Sequence, residues 1–174
     1  TGSFLFITAC NRMDSYGSCD IYYSRNDKGN WTAPQGIGKP VNTAAWEAQP
    51  SFSSDGRALY FVSNRPGGYG GRDIWVSYLD DNMKLSEPKN LGPNINTKYD
   101  DQCPFIHADN KTLYFTSNGW PGMGNGDIFV ARKTDTGWTQ AVNIGYPINT
   151  ENDDNGMTVS YDGKTAFLSS SRAG

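Results

Sequence analysis

The chain has 174 residues, a formal net charge of −3 and an aromatic content of 13%. This length predicts one domain with a substantial core, and the acidic balance excludes the basic footprint of a nucleic-acid-binding protein. No apolar run approaches the length of a membrane-spanning helix, so direct membrane insertion is not expected. The 20 glycines and 9 prolines, together with the lack of a 3.6-residue period, favour a turn-rich all-β protein.

The predicted elements recur with a period of about 53 residues. An Asp-Ile-aromatic motif begins at Asp20, Asp73 and Asp127, at intervals of 53 and 54 residues. Around this motif, the stretch 49–65 returns as 103–118 and, more weakly, as 161–172. A fixed period of this size, built from short strands, is typical of β-propeller blades.

The second unit predicts four antiparallel strands, A to D, in chain order. Strand A covers about 49–54 and strand B about 57–63, and Asp55-Gly56 between them predicts a tight hairpin turn. A glycine-rich loop, 64–72, leads to strand C, which begins at Asp73. A polar turn then leads to strand D near 84–91, and a Pro/Asn connection carries the chain to the next unit.

Alignment of the units predicts a partial blade in 1–43, complete blades in 44–97 and 98–150, and part of a further blade in 151–174. The first part lacks strand A, and the last part lacks strands C and D, so we expect the chain to begin within a repeat. Closed propellers have about four to eight blades. We therefore expect an arc of three to four blades from a larger ring of six to eight, with ring closure between chains as the alternative.

The repeat also resembles a known family. The pattern Gln-Pro-x-Phe-Ser-x-Asp-Gly-Arg-x-Leu-Tyr-Phe-x-Ser-Asn-Arg followed by Asp-Ile-Trp-Val, within 49–76, resembles the WD40-like Pro-Asp repeats of TolB-type periplasmic propellers. The added Gly-Gly-Tyr-Gly-Gly before Asp73 and the Asn-Ile-Asn-Thr after strand D are similar to the propeller of multidomain OmpA-family proteins, some of which are scaffolds of type IX secretion. Unlike the TolB repeats, this chain has Ser54, Ala108 and Tyr161 rather than Pro before the turn Asp.

The resemblance implies a location and a class of partner. It implies a periplasmic protein associated with the outer membrane, with other envelope proteins as partners. Contact with peptidoglycan would come only through a flanking domain outside this chain. The missing Pro before the turn Asp warns against transferring the partners of TolB itself.

The B–C loops and the D–A connections are predicted to emerge on one face, where binding by a rigid scaffold usually resides. The B–C loops are 11–18, 64–71 and 118–125. Aromatic residues and Arg are enriched at interaction hot spots. The candidate partner-binding residues on this face are Arg12, Tyr16, Trp46, Arg65, Tyr69, Arg72, Tyr99 and Trp120.

Two sets of acidic residues repeat with the blades, and repetition in every blade favours a structural role. One set begins strand C: Asp20, Asp73 and Asp127. The other set is predicted to lie beside the central channel: Glu47, Asp101 and Asp154. Several carboxylates in one channel could bind Ca²⁺, but no Asp-x-Asp-x-Asp spacing is present. We therefore predict neither a metal nor a cofactor, and the single histidine, His107, has no catalytic partner in the pattern.

The cysteines indicate the cellular compartment in which the protein folds. Cys10 and Cys19 bracket the first B–C loop on predicted antiparallel strands, where they align with Ser63 and Arg72 of the second unit. We predict a disulfide between them, which would indicate an oxidising compartment such as the periplasm. Cys103 aligns with Gln49 and is predicted to be a buried free thiol.

Taken together, these patterns predict a non-catalytic β-propeller that serves as a protein–protein interaction scaffold in the bacterial cell envelope. Two alternatives remain open from the sequence. A glycan-acting propeller enzyme would need unlike carboxylates that converge in the channel. A small-ligand or calcium-binding propeller would need oxygen ligands gathered around one point.

Overall fold

A computed structural model describes residues 2–172, and this range contains β-strands, turns and no helix. No helix that could cross a membrane occurs among these residues. The strands are β1 Phe4–Cys10, β2 Cys19–Asp27, β3 Asn30–Trp31, β4 Gln35–Gly36, β5 Glu47–Phe52, β6 Ala58–Ser63, β7 Asp73–Tyr78, β8 Lys89–Asn90, β9 Asp101–Ile106, β10 Thr112–Ser117, β11 Asp127–Thr134, β12 Gly137–Trp138, β13 Val142–Asn143, β14 Asp154–Val159 and β15 Ala166–Ser170.

These strands form four antiparallel sheets that follow one another along the chain. The first sheet contains β1 to β4, the second β5 to β8, the third β9 to β13, and the last only β14 and β15. The second sheet has the strand order A-B-C-D of a propeller blade, with β5, β6, β7 and β8 as neighbours. The prediction of all-β, four-stranded blades without helix is therefore confirmed.

Strand D is shorter than its predicted range, 84–91. Only Lys89–Asn90 pairs with β7, and an isolated bridge between Leu79 and Leu85 continues the edge. Pro88 lies between the two pairings, and proline has no N–H to donate to the ladder. Pro88 therefore explains why strand D is interrupted. The alternation of residues across 84–91 did not indicate this interruption.

Each strand A carries a β-bulge that the hydrophobic alternation did not reveal. The ladder register shifts between Ala48 and Ser51 in the second blade, and at the equivalent places in the third and fourth sheets. The residues at the bulge are Gln49, Cys103 and Gly156, all with positive φ (54°, 51° and 95°). A bulge bends the strand and re-aims the neighbouring side chain, so it interrupts the alternation from which the start of strand A was predicted. Strand A begins two residues earlier than predicted, at the acidic residue.

The blades pack against each other through apolar side chains. Between the second and third blades, Tyr60 and Trp138 meet edge to face with ring centroids 6.0 Å apart. Between the first and second blades, Ile21, Phe61 and Trp75 belong to one buried cluster. Face-to-face packing of this kind gives the loops at the ends of the strands a rigid base.

Candidate interaction face

The B–C loops and the D–A connections contact one another at one end of the blades, as predicted. The Arg65 guanidinium in a B–C loop donates to the carbonyl oxygen of Pro40 in a D–A connection, at 3.3 Å. The backbone N–H of Gly71, in the second B–C loop, donates to the carbonyl oxygen of Tyr99 in the next D–A connection, at 2.9 Å. We call this end the long-loop face; it comprises the loops 11–18, 64–71 and 118–125 and the connections 37–46, 91–100 and 144–153.

The Asp that begins each strand C holds the B–C loop in place. Asp73 accepts a hydrogen bond from the backbone N–H of Tyr69 at 2.5 Å and from the Asn90 side chain at 2.9 Å. Asp127 accepts from the N–H groups of Met123 and Gly124 at 2.9 and 3.0 Å. The structural interpretation of this set of acids agrees with these contacts.

The second set of acids holds the D–A connections through buried hydrogen bonds. Each carboxylate accepts the backbone N–H of the threonine four residues earlier, at 2.5 to 2.7 Å, and each residue is fully buried. The three acids are Glu47, Asp101 and Asp154. A separate groove of about 480 Å³ runs across β5, β9 and β14 and is lined by uncharged residues such as Gln49, Cys103 and Phe105.

Arg65 is not an exposed binding residue, which corrects the prediction. Its side chain is only 10% exposed, and the guanidinium lies 3.3 Å from the Glu47 carboxylate. It also donates to the carbonyl oxygen of Val41. Arg172 occupies the same place in the fourth blade, where it donates to Asp154 at 2.7 Å. The repeated arginine is therefore a clamp that joins a B–C loop to a D–A connection.

In the third blade the clamp arginine is replaced by Gly119, and Trp120 takes over one of its contacts. The Trp120 indole N–H donates to the carbonyl oxygen of Ile95 at 3.0 Å, the position equivalent to Val41. Trp120 is half-buried and packs against the core, so this candidate, too, has a structural role rather than the exposed one predicted.

The loss of the arginine changes the ionisation of the buried acid in the third blade. Burial raises the pKa of Asp101 to about 6, although hydrogen bonds from the backbone and side chain of Thr97 oppose that effect. One of its carboxylate oxygens is buried and lacks a hydrogen-bond partner among the described residues. Burial also acts on the equivalent Asp154, but hydrogen bonds from Ser170 and Arg172 outweigh it and hold its pKa below the ordinary value.

Three equivalent loop positions expose an apolar side chain on the long-loop face. Tyr16, Tyr69 and Met123 are each 52% exposed. Each is followed by a glycine whose Cβ would collide with main-chain oxygens of the adjacent D–A connection. The glycine lets the loop lie directly on the connection, and the preceding side chain is left to point outward.

Two further exposed residues extend this apolar surface. Tyr99 is 49% exposed, as predicted, and Tyr146 is 78% exposed. Sequence reasoning missed Met123 and Tyr146. The signal for Met123 was its position before a glycine in the third B–C loop, which matches Tyr16 and Tyr69 in the other two.

The remaining candidates lie at the same face with their own partners. Arg12 forms an ion pair with Asp14 at 2.9 Å and remains 42% exposed. The Arg72 guanidinium lies 4.7 Å from the centre of the Trp46 ring and 3.6 Å from Asp100. Trp46 is half-buried against the core, so it supports Arg72, which stays accessible.

The first B–C loop is closed by a disulfide between Cys10 and Cys19. The register pairs Ala9 with Asp20, just as Ser63 pairs with Asp73 in the second blade. Ala9, and not Cys10, is therefore the counterpart of Ser63, and the first loop is one residue longer than the alignment assumed. The third cysteine, Cys103, is free and half-buried, and burial raises the pKa of its thiol.

Among residues 2–172, no group of three or more His, Cys, Asp or Glu side chains is arranged to hold a metal ion. His107 lies in the A–B hairpin region away from the long-loop face. One ring nitrogen is 3.1 Å from the carbonyl oxygen of Ser160, and the other is 3.5 Å from Asp109.

No protein-family model and no curated protein matches this chain. Solved structures do match it. The α-L-arabinofuranosidase from Lactobacillus brevis matches with a TM-score of 0.57 and 16% identity, over 95% of this chain and 60% of that chain. The putative TolB from Agrobacterium tumefaciens matches with a TM-score of 0.55 and 20% identity, over 99% of this chain and 56% of that chain. TolB from Acinetobacter baumannii matches with a TM-score of 0.51 and 18% identity, over 86% and 31%.

The chain therefore spans between 31% and 60% of the length of these structures. At these identities the likeness shows the fold alone. The described residues form an arc of a β-propeller, of the kind that is found in TolB proteins and in an enzyme.

Proposed function

We propose that this protein is a non-catalytic β-propeller that binds other proteins of the bacterial cell envelope through its long-loop face. The observation that carries the proposal is the exposure of Tyr16, Tyr69 and Met123 at one equivalent position in three successive blades. Large apolar side chains held on rigid loops lose little conformational entropy on binding, and tyrosine is enriched at hot spots.

The rigidity of the loops supports this proposal. The N–H of each exposed residue is bound to a buried aspartate, and the following glycine lies against the next connection. Tyr99 and Arg72 add an aromatic ring and a cation to the same face. The loops therefore present a preorganised surface.

We further propose a periplasmic location with association to the outer membrane. The Cys10–Cys19 disulfide supports an oxidising compartment, and the resemblance of the repeat to TolB-type periplasmic propellers agrees with that compartment. The resemblance of the repeat to OmpA-family propellers suggests a scaffold of the type used in type IX secretion. Contact with peptidoglycan would then depend on a flanking domain.

The enzymatic and calcium-binding alternatives have less support. Both would use the carboxylates of Glu47, Asp101 and Asp154, and these are buried in hydrogen bonds to the D–A connections. A catalytic acid or base must reach the proton that it transfers. The groove across β5, β9 and β14 has no carboxylate or histidine among its lining residues.

The test is co-purification from the envelope fraction of source cells after mild crosslinking, with the variant Tyr16→Ser/Tyr69→Ser. The matched control is Tyr78→Ser/Tyr161→Ser, which removes two tyrosines near the opposite, short-hairpin end of the blades. We expect at least one envelope protein to be recovered with the unmodified chain and the control, and to be lost with Tyr16→Ser/Tyr69→Ser. Recovery of the same proteins with both double variants would refute the proposed face.

A further inference from the structure

A cleft of about 850 Å³ lies between the first and second blades. Its apolar walls include Phe6, Tyr23 and Ile37 from the first blade and Phe52 and Leu85 from the second. The rings of Phe6 and Phe52 stack 4.7 Å apart where the two blades meet. The cleft shares only Ile37 and Lys39 with the long-loop face.

At one wall of the cleft, a smaller residue stands where the third blade has a tryptophan. Leu85 in the second blade and Trp138 in the third occupy equivalent positions, since the residue after each donates its N–H to strand C in the same way. Trp138 is 9% exposed and packs against Tyr60 of the second blade. The counterpart of Tyr60 in the first blade is Phe6. Trp138 fills the space beside Tyr60. The smaller Leu85 does not fill the equivalent space beside Phe6.

The charged residues of the cleft are all cationic. Arg25, Lys39 and Lys84 line it, and no carboxylate side chain does. Within residues 2–172, none of these three cations has a carboxylate within ion-pair distance. Arg25 and Lys84 are exposed, whereas the Lys39 amine lies 5.8 Å from the centre of the Tyr16 ring.

We propose that this cleft binds an amphipathic anion of the fatty-acid class. The hydrocarbon chain lies between the blades against Phe6, Phe52 and Leu85, and the carboxylate lies at Arg25 and Lys84. Small-ligand sites typically enclose about 300–1,000 Å³ and combine apolar walls with a few polar groups that fix orientation. The unpaired cations provide the charge complement for one acidic headgroup.

The test is titration calorimetry of the whole chain with laurate below its micelle threshold, with dodecanol as the uncharged probe of equal chain length. We expect saturable binding of one laurate per chain and much weaker binding of dodecanol. The variant Leu85→Trp inserts the residue that the chain itself uses at the equivalent position, and should weaken laurate binding about tenfold or more. Its thermal unfolding temperature should not fall.

The exposed double variant Arg25→Gln/Lys84→Gln tests the headgroup contacts without changing the core. We expect it to weaken laurate binding by about tenfold, whereas the control Lys111→Gln/Lys164→Gln, with the same net charge, should bind as the unmodified chain does. This pair remains informative if Leu85→Trp does not fold.

Any one of four binding results would overturn the proposal. These are the absence of saturable laurate binding, equal affinity for laurate and dodecanol, unchanged binding in Leu85→Trp, and equal affinity in the two charge variants. A sedimentation result would overturn it as well, if the chain self-associates and Leu85→Trp abolishes that association. The occupant of the cleft would then be a second copy of the chain.

Discussion

Replacing Asp101 by asparagine should change how the stability of the protein depends on pH. The carboxyl group is buried without an arginine, and its pKa is about 6 against an ordinary value of 3.8. A raised pKa in the folded state means that the stabilising contribution is fully present below pH 3.8 and is lost as the pH rises through 6. At about 1.36 kcal/mol per pH unit, the difference between 6 and 3.8 corresponds to about 3 kcal/mol.

An asparagine at this position is uncharged at every pH, so Asp101→Asn should not show this loss. The free energy of unfolding of the variant, relative to the unmodified chain, should rise by about 3 kcal/mol between about pH 3 and pH 8. The measurement is urea unfolding followed by tryptophan fluorescence at intervals across this range. Parallel stability curves for the two proteins would refute the reasoning.

The matched control is Asp154→Asn, at the equivalent position in the fourth blade. There the carboxylate is paired with Arg172 and its pKa is lowered, so its contribution is present above the unfolded pKa and lost as the pH falls. We expect the free energy of unfolding of this variant, relative to the unmodified chain, to fall by about 1–3 kcal/mol as the pH rises from acid to neutral, which is the opposite direction to Asp101→Asn. The same sign for both variants would contradict the role assigned to the arginine.

Three further perturbations test the clamps that hold the loops. Arg65→Met should cost about 3–5 kcal/mol, because it leaves the fully buried Glu47 carboxylate without its cation; a loss typical of an exposed pair, measured by denaturant unfolding, would contradict that assignment. Gly70→Ala should cost about 1–3 kcal/mol because the new Cβ collides with a D–A connection, and calorimetric melting that is unchanged would show that the loop does not lie there. Cys10→Ala/Cys19→Ala should cost about 2–3 kcal/mol, since the disulfide closes a short loop; the comparison is with the unmodified chain under reducing conditions, which should melt like the variant.

The repeat allowed the start of strand C to be predicted to the residue, because Asp73 is fixed by two local requirements. Asp73 begins the strand, and its carboxylate accepts the backbone N–H of Tyr69, four residues earlier in the loop. Both requirements lie within a few residues of each other, so each blade repeats them in its sequence. The bulge at Gln49 is instead a positive-φ break in the ladder between β5 and β6, and an alternation of period two in the sequence does not report it.

The burial of Arg65 depends on a contact across 24 residues, with Val41 in the preceding connection. Nothing in the local sequence indicates that contact. However, Arg172 follows a serine-rich strand end just as Arg65 does. Because a residue that repeats between blades favours a structural role, the repetition indicated such a role for both arginines. The cleft, too, could be recognised only by comparing blades. Trp138 in the third blade fills a space that Leu85 leaves open in the second.

The central claim is that the long-loop face contacts an envelope protein. Its most direct test is a photocrosslinking amino acid placed at Tyr69 on that face or at Tyr161 on the short-hairpin side, in the protein expressed in its source cells. Both tyrosines are exposed, at 52% and 85%, so both probes can react with a neighbour. We expect a discrete crosslinked envelope protein from position 69 and none from position 161. A crosslink from position 161 alone would contradict it.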